Sequence, residues 1–225
     1  MTAQLDKKYY EVISPKSVAE RFMIAARKNI FEDFMLRMRP SASDSILDVG
    51  VSDVVNDAAN ALEWMYPYPA NITGCGLGEG VEFQSAFREV RYVRIEPNVA
   101  LPFDNAGFDV ATSNAVLEHV GSLKNQTFFV TELCRVARRV FISVPNRFFP
   151  IEHHTAIPFA HWQDHIFRAA CWANEKSEWA QEQNLILMTR KHLWRLAAEV
   201  RRSGAVGYTG LRWGPFSSNL YLAFH

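Results

Sequence analysis

The sequence predicts an α/β protein built on a doubly wound, mostly parallel sheet of seven strands with an antiparallel last strand, and three observations carry that expectation. Short β-rich runs alternate with helically periodic segments from Ile46 onward, which implies parallel strands joined by right-handed crossovers. The first run, Ile46-Leu47-Asp48-Val49-Gly50-Val51-Ser52-Asp53, ends in an acid and a glycine, as a first strand does when it feeds a nucleotide-binding loop. The chain closes on two strand patterns joined by Pro215-Phe216-Ser217-Ser218, which read as antiparallel neighbours.

The 225 residues suffice for one domain with its own core, and no repeat or internal boundary divides residues 1–225. Lys plus Arg and Asp plus Glu balance at 24 each, so overall charge favours neither nucleic acid nor an anionic membrane, and a small-molecule partner is expected. Cys75, Cys134 and Cys171 are scattered and form no CxxC, which fits a reducing compartment. No apolar run reaches the ~20 residues of a membrane helix. No apolar segment of signal-peptide type follows Asp6, Lys7 and Lys8, so the expected location is cytoplasmic.

Residues 1–44 read as an N-terminal helical extension. From about Ser17 to Met38, the residues Val18, Phe22, Ala25, Ala26, Ile30, Phe34 and Met38 recur at helical spacing between Arg21, Arg27, Lys28, Glu32 and Asp33. Ser14-Pro15 is the start signal and Arg39-Pro40 the stop; the helix should pack on the core or over a pocket mouth. After the first strand, Val54 to Trp64 reads as a helix, Asn71 to Gly76 as a strand, Val81 to Phe87 as a short helix and Arg91 to Ile95 as a strand. Phe108 to Ser113 is the fourth strand, Lys124 to Ala137 a helix and Val140 to Val144 the fifth strand. Residues 147–184 loosen into a long excursion holding Pro150, Pro158 and four histidines, the kind of segment that forms lids and pocket walls. Arg190 to Arg202 is then a helix with Gly204 as its C-cap, and Val206 to Trp213 and Asn219 to Phe224 are the closing strands.

Leu101-Pro102-Phe103-Asp104, followed by Phe108-Asp109 and by Leu117-Glu118-His119-Val120, resembles the class I S-adenosylmethionine-dependent methyltransferases of the ubiquinone/menaquinone type. Arg135-Val136-Ala137 and Val144-Pro145-Asn146 support the likeness, which covers Ser45 to Asn146 well and Asn184 to His225 less fully. The resemblance implies a Rossmann-like methyltransferase fold, S-adenosylmethionine as cofactor, and O- or N-methylation of a small molecule.

Ligands of such sheets sit beyond the carboxyl ends of the strands. Asp48, Gly50, Val51, Ser52, Gly76, Leu77, Glu96, Asn98 and Asn114 are therefore the cofactor candidates. By resemblance, Asp48 orients the loop or meets the methionine amino group, Gly50 gives close approach to the cofactor, and Asn114 lines the methionine and sulfonium end. The chain also departs from the family. Gly76 stands where an acid usually meets the ribose hydroxyls, with Glu79 the nearest carboxylate, and Pro97, between Glu96 and Asn98, stands where an aspartate usually meets the adenine amino group. Val51, Ser52 and Asp53 replace loop glycines, so an inactive methyltransferase-like binding protein is the alternative.

Methyl transfer is an in-line displacement that needs alignment and, for a protonated acceptor, a base. His119 is the first candidate base, with His153 and His154 as further catalytic candidates; the other role for His119 is a helix-start residue bonded to backbone. Some ubiquinone-type O-methyltransferases bind a divalent metal through Glu-x-x-Glu-His, but Ala115 stands at the first acid, so no metal is expected. His161 and His165 have the i, i+4 spacing that zinc sites use. Together with Phe148, Phe149, Phe159 and Trp162 they read instead as a substrate-pocket wall or a packed excursion, and Trp172, Trp179 and Trp194 as core.

Overall fold

The structure is a computed structural model that describes residues 18–55 and 59–225. Five strands, β1 (Ile46–Val49), β2 (Ile72–Gly76), β3 (Arg91–Arg94), β4 (Phe108–Asn114) and β5 (Ala137–Pro145), pair in parallel. Two more, β6 (Gly204–Trp213) and β7 (Phe216–Phe224), form a hairpin in which β7 runs antiparallel to β5 as well. The order β3-β2-β1-β4-β5-β7-β6 is the seven-stranded, doubly wound sheet expected from the sequence.

Alternate residues of each central strand feed two cores, because successive side chains leave a strand on opposite faces. Ile46, Val110 and Phe141 pack under α1 (Val18–Met38), α2 (Ala61–Met65) and α3 (Val81–Ala86). Leu47, Val49, Ala111, Val140 and Ile142 pack under α4 (Leu123–Val136) and α6 (Arg190–Val200). A further helix, α5 (Asp164–Ala173), lies in the excursion and buries Phe167 and Cys171 against Trp179. No helix among the described residues is long and apolar enough to cross a membrane.

The α1 stripe docks as its spacing requires. Phe34 meets Phe141 edge-on at 5.9 Å, Phe141 stacks on Tyr221 at 5.7 Å, and the Arg37 guanidinium covers the Tyr221 ring at 4.0 Å. The proposed start signal Ser14-Pro15 lies outside the described residues.

Three local expectations need correction. Among the described residues of the helix expected from Val54 to Trp64, those from Ala61 onward are helical, in Ala61–Met65, and Val54 and Val55 are not. Ser52 donates its backbone N–H to Asn60 Oδ1 at 2.9 Å, Asn60 Nδ2 returns a bond to the Ser52 carbonyl at 2.9 Å, and Ser52 Oγ accepts from Val54 N–H at 2.9 Å. Side chains that satisfy backbone groups in this way compete with helix. Gly204 opens β6 instead of capping α6, whose end is taken by Arg201 at φ 55°. The last strand starts at Phe216, because Trp213 pairs directly with Phe216 and the turn shrinks to Gly214-Pro215.

Arg135 explains why the Leu-Pro-Phe turn and the Arg-Val-Ala stretch occur together. Its guanidinium donates to the carbonyls of Phe103 at 2.7 Å and Leu101 at 2.9 Å and pairs with Glu132 at 2.7 Å, while Glu132 accepts the Leu101 N–H at 2.8 Å. Arg135→Ala is expected to cost about 3 kcal/mol in urea denaturation, as loss of several charge-assisted bonds implies. A cost below about 1 kcal/mol would place the pair among ordinary surface ion pairs.

Candidate functional site

The strand order reverses between β1 and β4, so the carboxyl ends of these strands flank the switch point of the sheet. A cleft that encloses about 630 Å³, counting the space open to solvent, lies there. Asp48, Gly50 and Ser52 line it from the first strand and its loop, Thr112 and Asn114 from β4, and Arg27 and Phe31 from α1. Ser143 Oγ donates to Asn114 Oδ1, which fixes the amide at the mouth.

Asp48 and Arg27 are half-buried in this cleft. Burial pushes the Asp48 carboxyl up to about 7, against the opposing influence of the neighbouring Glu63 carboxyl and the positive field of Arg27. Glu63, on α2 and 5% exposed, is raised well above the usual carboxylate range by burial and then by Asp48. No donor meets either Glu63 oxygen, since a carboxyl facing another carboxyl gains a hydrogen bond only when one of the two is protonated.

The glycines of the loops are needed for packing. Gly50 lies at φ +105°, and a Cβ there would stand 2.2 Å from Val116 Cγ2, so its close approach is to Val116. The chain after Gly50 folds back over the end of β2: Gly50 and Val51 donate their N–H groups to the Cys75 carbonyl at 2.8 and 3.1 Å. This puts the Val51 carbonyl 2.5 Å from the place a Cβ at Gly76 would take, with the Tyr92 hydroxyl at 3.2 Å. The absence of an acid at Gly76 therefore has a steric cause. Asp53 ties the same loop to the next one by accepting the Gly80 N–H at 2.8 Å, and Ser52 is buried in its bonds to Asn60.

Leu77, Glu79, Glu96 and Asn98 are exposed, and Glu79 pairs with Arg94. Of the expected cofactor residues, Asp48, Gly50, Val51, Ser52 and Asn114 line the cleft, whereas Gly76, Leu77, Glu96 and Asn98 are not part of its lining.

A second cluster stands where the Leu117–His119 turn meets the excursion. His119 Nδ1 bonds the Asn184 carbonyl at 2.7 Å, and its Nε2 faces His154 Nε2 at 3.1 Å. His154 Nδ1 bonds Glu152 Oε1 at 2.8 Å, and Glu152 also accepts from the N–H of Thr155 at 2.6 Å and its hydroxyl at 2.7 Å. Burial, then the His154 charge, lowers His119 to about 3. Burial also opposes charge on His154 and Glu152, but their mutual attraction wins, raising the histidine and lowering the acid. Burial lifts Glu118 to about 7.

His119 thus takes the backbone-bonded role, with both ring nitrogens engaged. His153, lowered to about 4 by burial, lines a small cavity with Glu118, Glu152 and His161. The i, i+4 pair is split: His161 is buried on a short turn, its Nε2 on the Phe149 carbonyl at 2.7 Å, and His165 is exposed on α5. Phe148 and Phe159 are exposed, and of the three tryptophans only Trp179 is core; Trp172 and Trp194 are 71% and 47% exposed.

Sequence reasoning missed Arg27 and Glu63 as site residues. The signal for Arg27 was present, since Arg27, Ile30, Phe31 and Phe34 share one helical stripe and a charge on that stripe must have a buried use. Glu63 carried no comparable signal.

A family model described as a methyltransferase domain matches residues 47–140. No curated protein matches the chain in sequence. Among solved structures, a SAM-dependent methyltransferase from Aquifex aeolicus aligns at 12% identity over 100% of this chain and 99% of its own, with TM-score 0.60. Magnesium protoporphyrin IX methyltransferase from Synechocystis PCC 6803, solved with bound SAH, aligns at 11% over 99% of this chain and 94% of its own, with TM-score 0.61. The CurJ carbon methyltransferase aligns at 15% over 93% of this chain and 55% of its own, with TM-score 0.57. At these identities the likeness speaks to fold.

Proposed function

We propose that the chain is a class I S-adenosylmethionine-dependent methyltransferase and that it uses that cofactor to methylate oxygen or nitrogen of a small-molecule acceptor, a reading supported by the methyltransferase-domain match over residues 47–140 and by the fold. The observation that carries this reading is the convergence of Arg27, Asp48 and Asn114 in the cleft at the switch point. A guanidinium and a carboxylate in one cleft complement the two ends of an amino acid: Arg27 would take the carboxylate of the methionine moiety, Asp48 its ammonium, and Asn114 would line the sulfonium side. The bound cofactor supplies an activated methyl carbon. The protein then has to exclude water and hold the acceptor in line, which Phe31 and the apolar side of α1 favour.

An oxygen or nitrogen acceptor suits this site better than carbon. A carbon acceptor needs a strong base for its C–H proton, and both nitrogens of His119 are bonded. The equal numbers of acidic and basic residues favour a small acceptor over nucleic acid. The second reading, a binding protein without turnover, rests on the Val51 carbonyl that occupies the place of the ribose-binding acid.

The test is the pH dependence of S-adenosylhomocysteine binding in calorimetry. Ionised Asp48 is the form that attracts the ammonium, and burial raises its pKa to about 7, so below that pH binding must expel a proton. Affinity is expected to be flat above about pH 7 and to weaken by up to tenfold per unit below it. An affinity unchanged from about pH 6 to 8 would contradict Asp48 as the ammonium partner.

A further inference from the structure

We propose that Glu118, His119 and His154 form a divalent-metal site, selective for a first-row transition ion such as Zn²⁺, Fe²⁺ or Mn²⁺ over Mg²⁺ or Ca²⁺. One ligand atom from each residue lies within 4.8 Å of the other two. The Nε2 atoms of the histidines are 3.1 Å apart, and Glu118 Oε1 is 3.9 Å from His119 Nε2. Metal–ligand bonds of about 2.0–2.2 Å set neighbouring ligand atoms roughly 3.0–3.5 Å apart. The nitrogen pair already has that spacing, and the carboxylate needs a side-chain adjustment on the order of 1 Å.

The supporting bonds have the pattern that metal-bound histidines need. The Asn184 carbonyl and the Glu152 carboxylate each bond a ring Nδ1, which directs both Nε2 lone pairs to one point. Glu152 is itself held by Thr155, so the second histidine rests on a fixed carboxylate. Glu118 is 1% exposed and neither of its oxygens has a donor, so an acceptor-only group is aimed into the cluster.

The expectation of no metal rested on Ala115, but His154, 35 residues from His119, supplies a nitrogen that local spacing does not reveal. Two imidazoles and one carboxylate select borderline ions, and three protein ligands leave a position for an oxygen ligand. A proton shared between the two Nε2 atoms is the competing occupant.

The test is calorimetric titration of chelator-treated chain with ZnCl₂, MnCl₂ and MgCl₂. One Zn²⁺ per chain is expected, with Mg²⁺ at least 100-fold weaker. Glu118→Gln and His154→Ala should each weaken Zn²⁺ by more than tenfold, and Glu152→Gln by about 10- to 100-fold. Circular dichroism of the metal-free variants controls for folding. If a variant does not fold, X-ray absorption of the Zn²⁺-loaded native chain decides: two imidazole nitrogens and at least one oxygen are expected. No stoichiometric Zn²⁺ up to millimolar, affinity unchanged in folded variants, or fewer than two imidazoles would overturn the proposal. S-adenosylhomocysteine titrated in parallel reads the cofactor site separately, so either assignment can fail without the other.

Discussion

Gly50→Ala is expected to destabilise the fold by about 3 kcal/mol and to abolish measurable S-adenosylhomocysteine binding. Two costs combine at this position. The backbone lies at φ +105°, where an L side chain is strained, and the added methyl would fall 2.2 Å from Val116 Cγ2. Val116→Ala in the same chain should recover the steric part of the loss and leave the backbone part. Urea denaturation of the single and double variants separates them. If the second substitution recovers nothing, contact with Val116 is not what requires glycine.

Gly76→Asp, which would place at the end of the second strand the acid usual in the methyltransferases that the sequence resembles, is expected to weaken S-adenosylhomocysteine more than tenfold and to cost about 3 kcal/mol of stability. The Val51 carbonyl stands 2.5 Å from where its Cβ must go, and backbone cannot swing aside as a flexible side chain does. A carboxylate there would also face a carbonyl oxygen in a buried strand end. Tighter binding by this variant would mean that the slot is open and that the loop moves.

What was legible in the sequence was mostly local. Apolar runs such as Ile46-Leu47 and Val140-Phe141-Ile142 announce strands because their periodicity is written in neighbouring residues, and the strand order then places Asp48, Gly50 and Asn114 at one crevice. The illegible features depend on contacts between distant segments. The residues after Val54 read as helix until the Asn60 side chain is seen bonding both the N–H and the carbonyl of Ser52. The reason for glycine at 76 is a carbonyl of Val51, and the partner of His119 is a histidine in the irregular excursion. Trp172 and Trp194 read as core because large aromatics usually are, yet both sit on the solvent side of their helices.

The cleft lined by Arg27, Asp48 and Asn114 is the proposed seat of the methionine end of S-adenosylmethionine. Calorimetry of the native chain with S-adenosylhomocysteine at about pH 8 tests it most directly, with Arg27→Ala as the paired variant. One site per chain, with a dissociation constant on the order of micromolar and at least tenfold weaker in the variant, is the expected result. A folded native chain that takes up no ligand at millimolar concentration, or an Arg27→Ala variant that binds as tightly as the native chain, would contradict it.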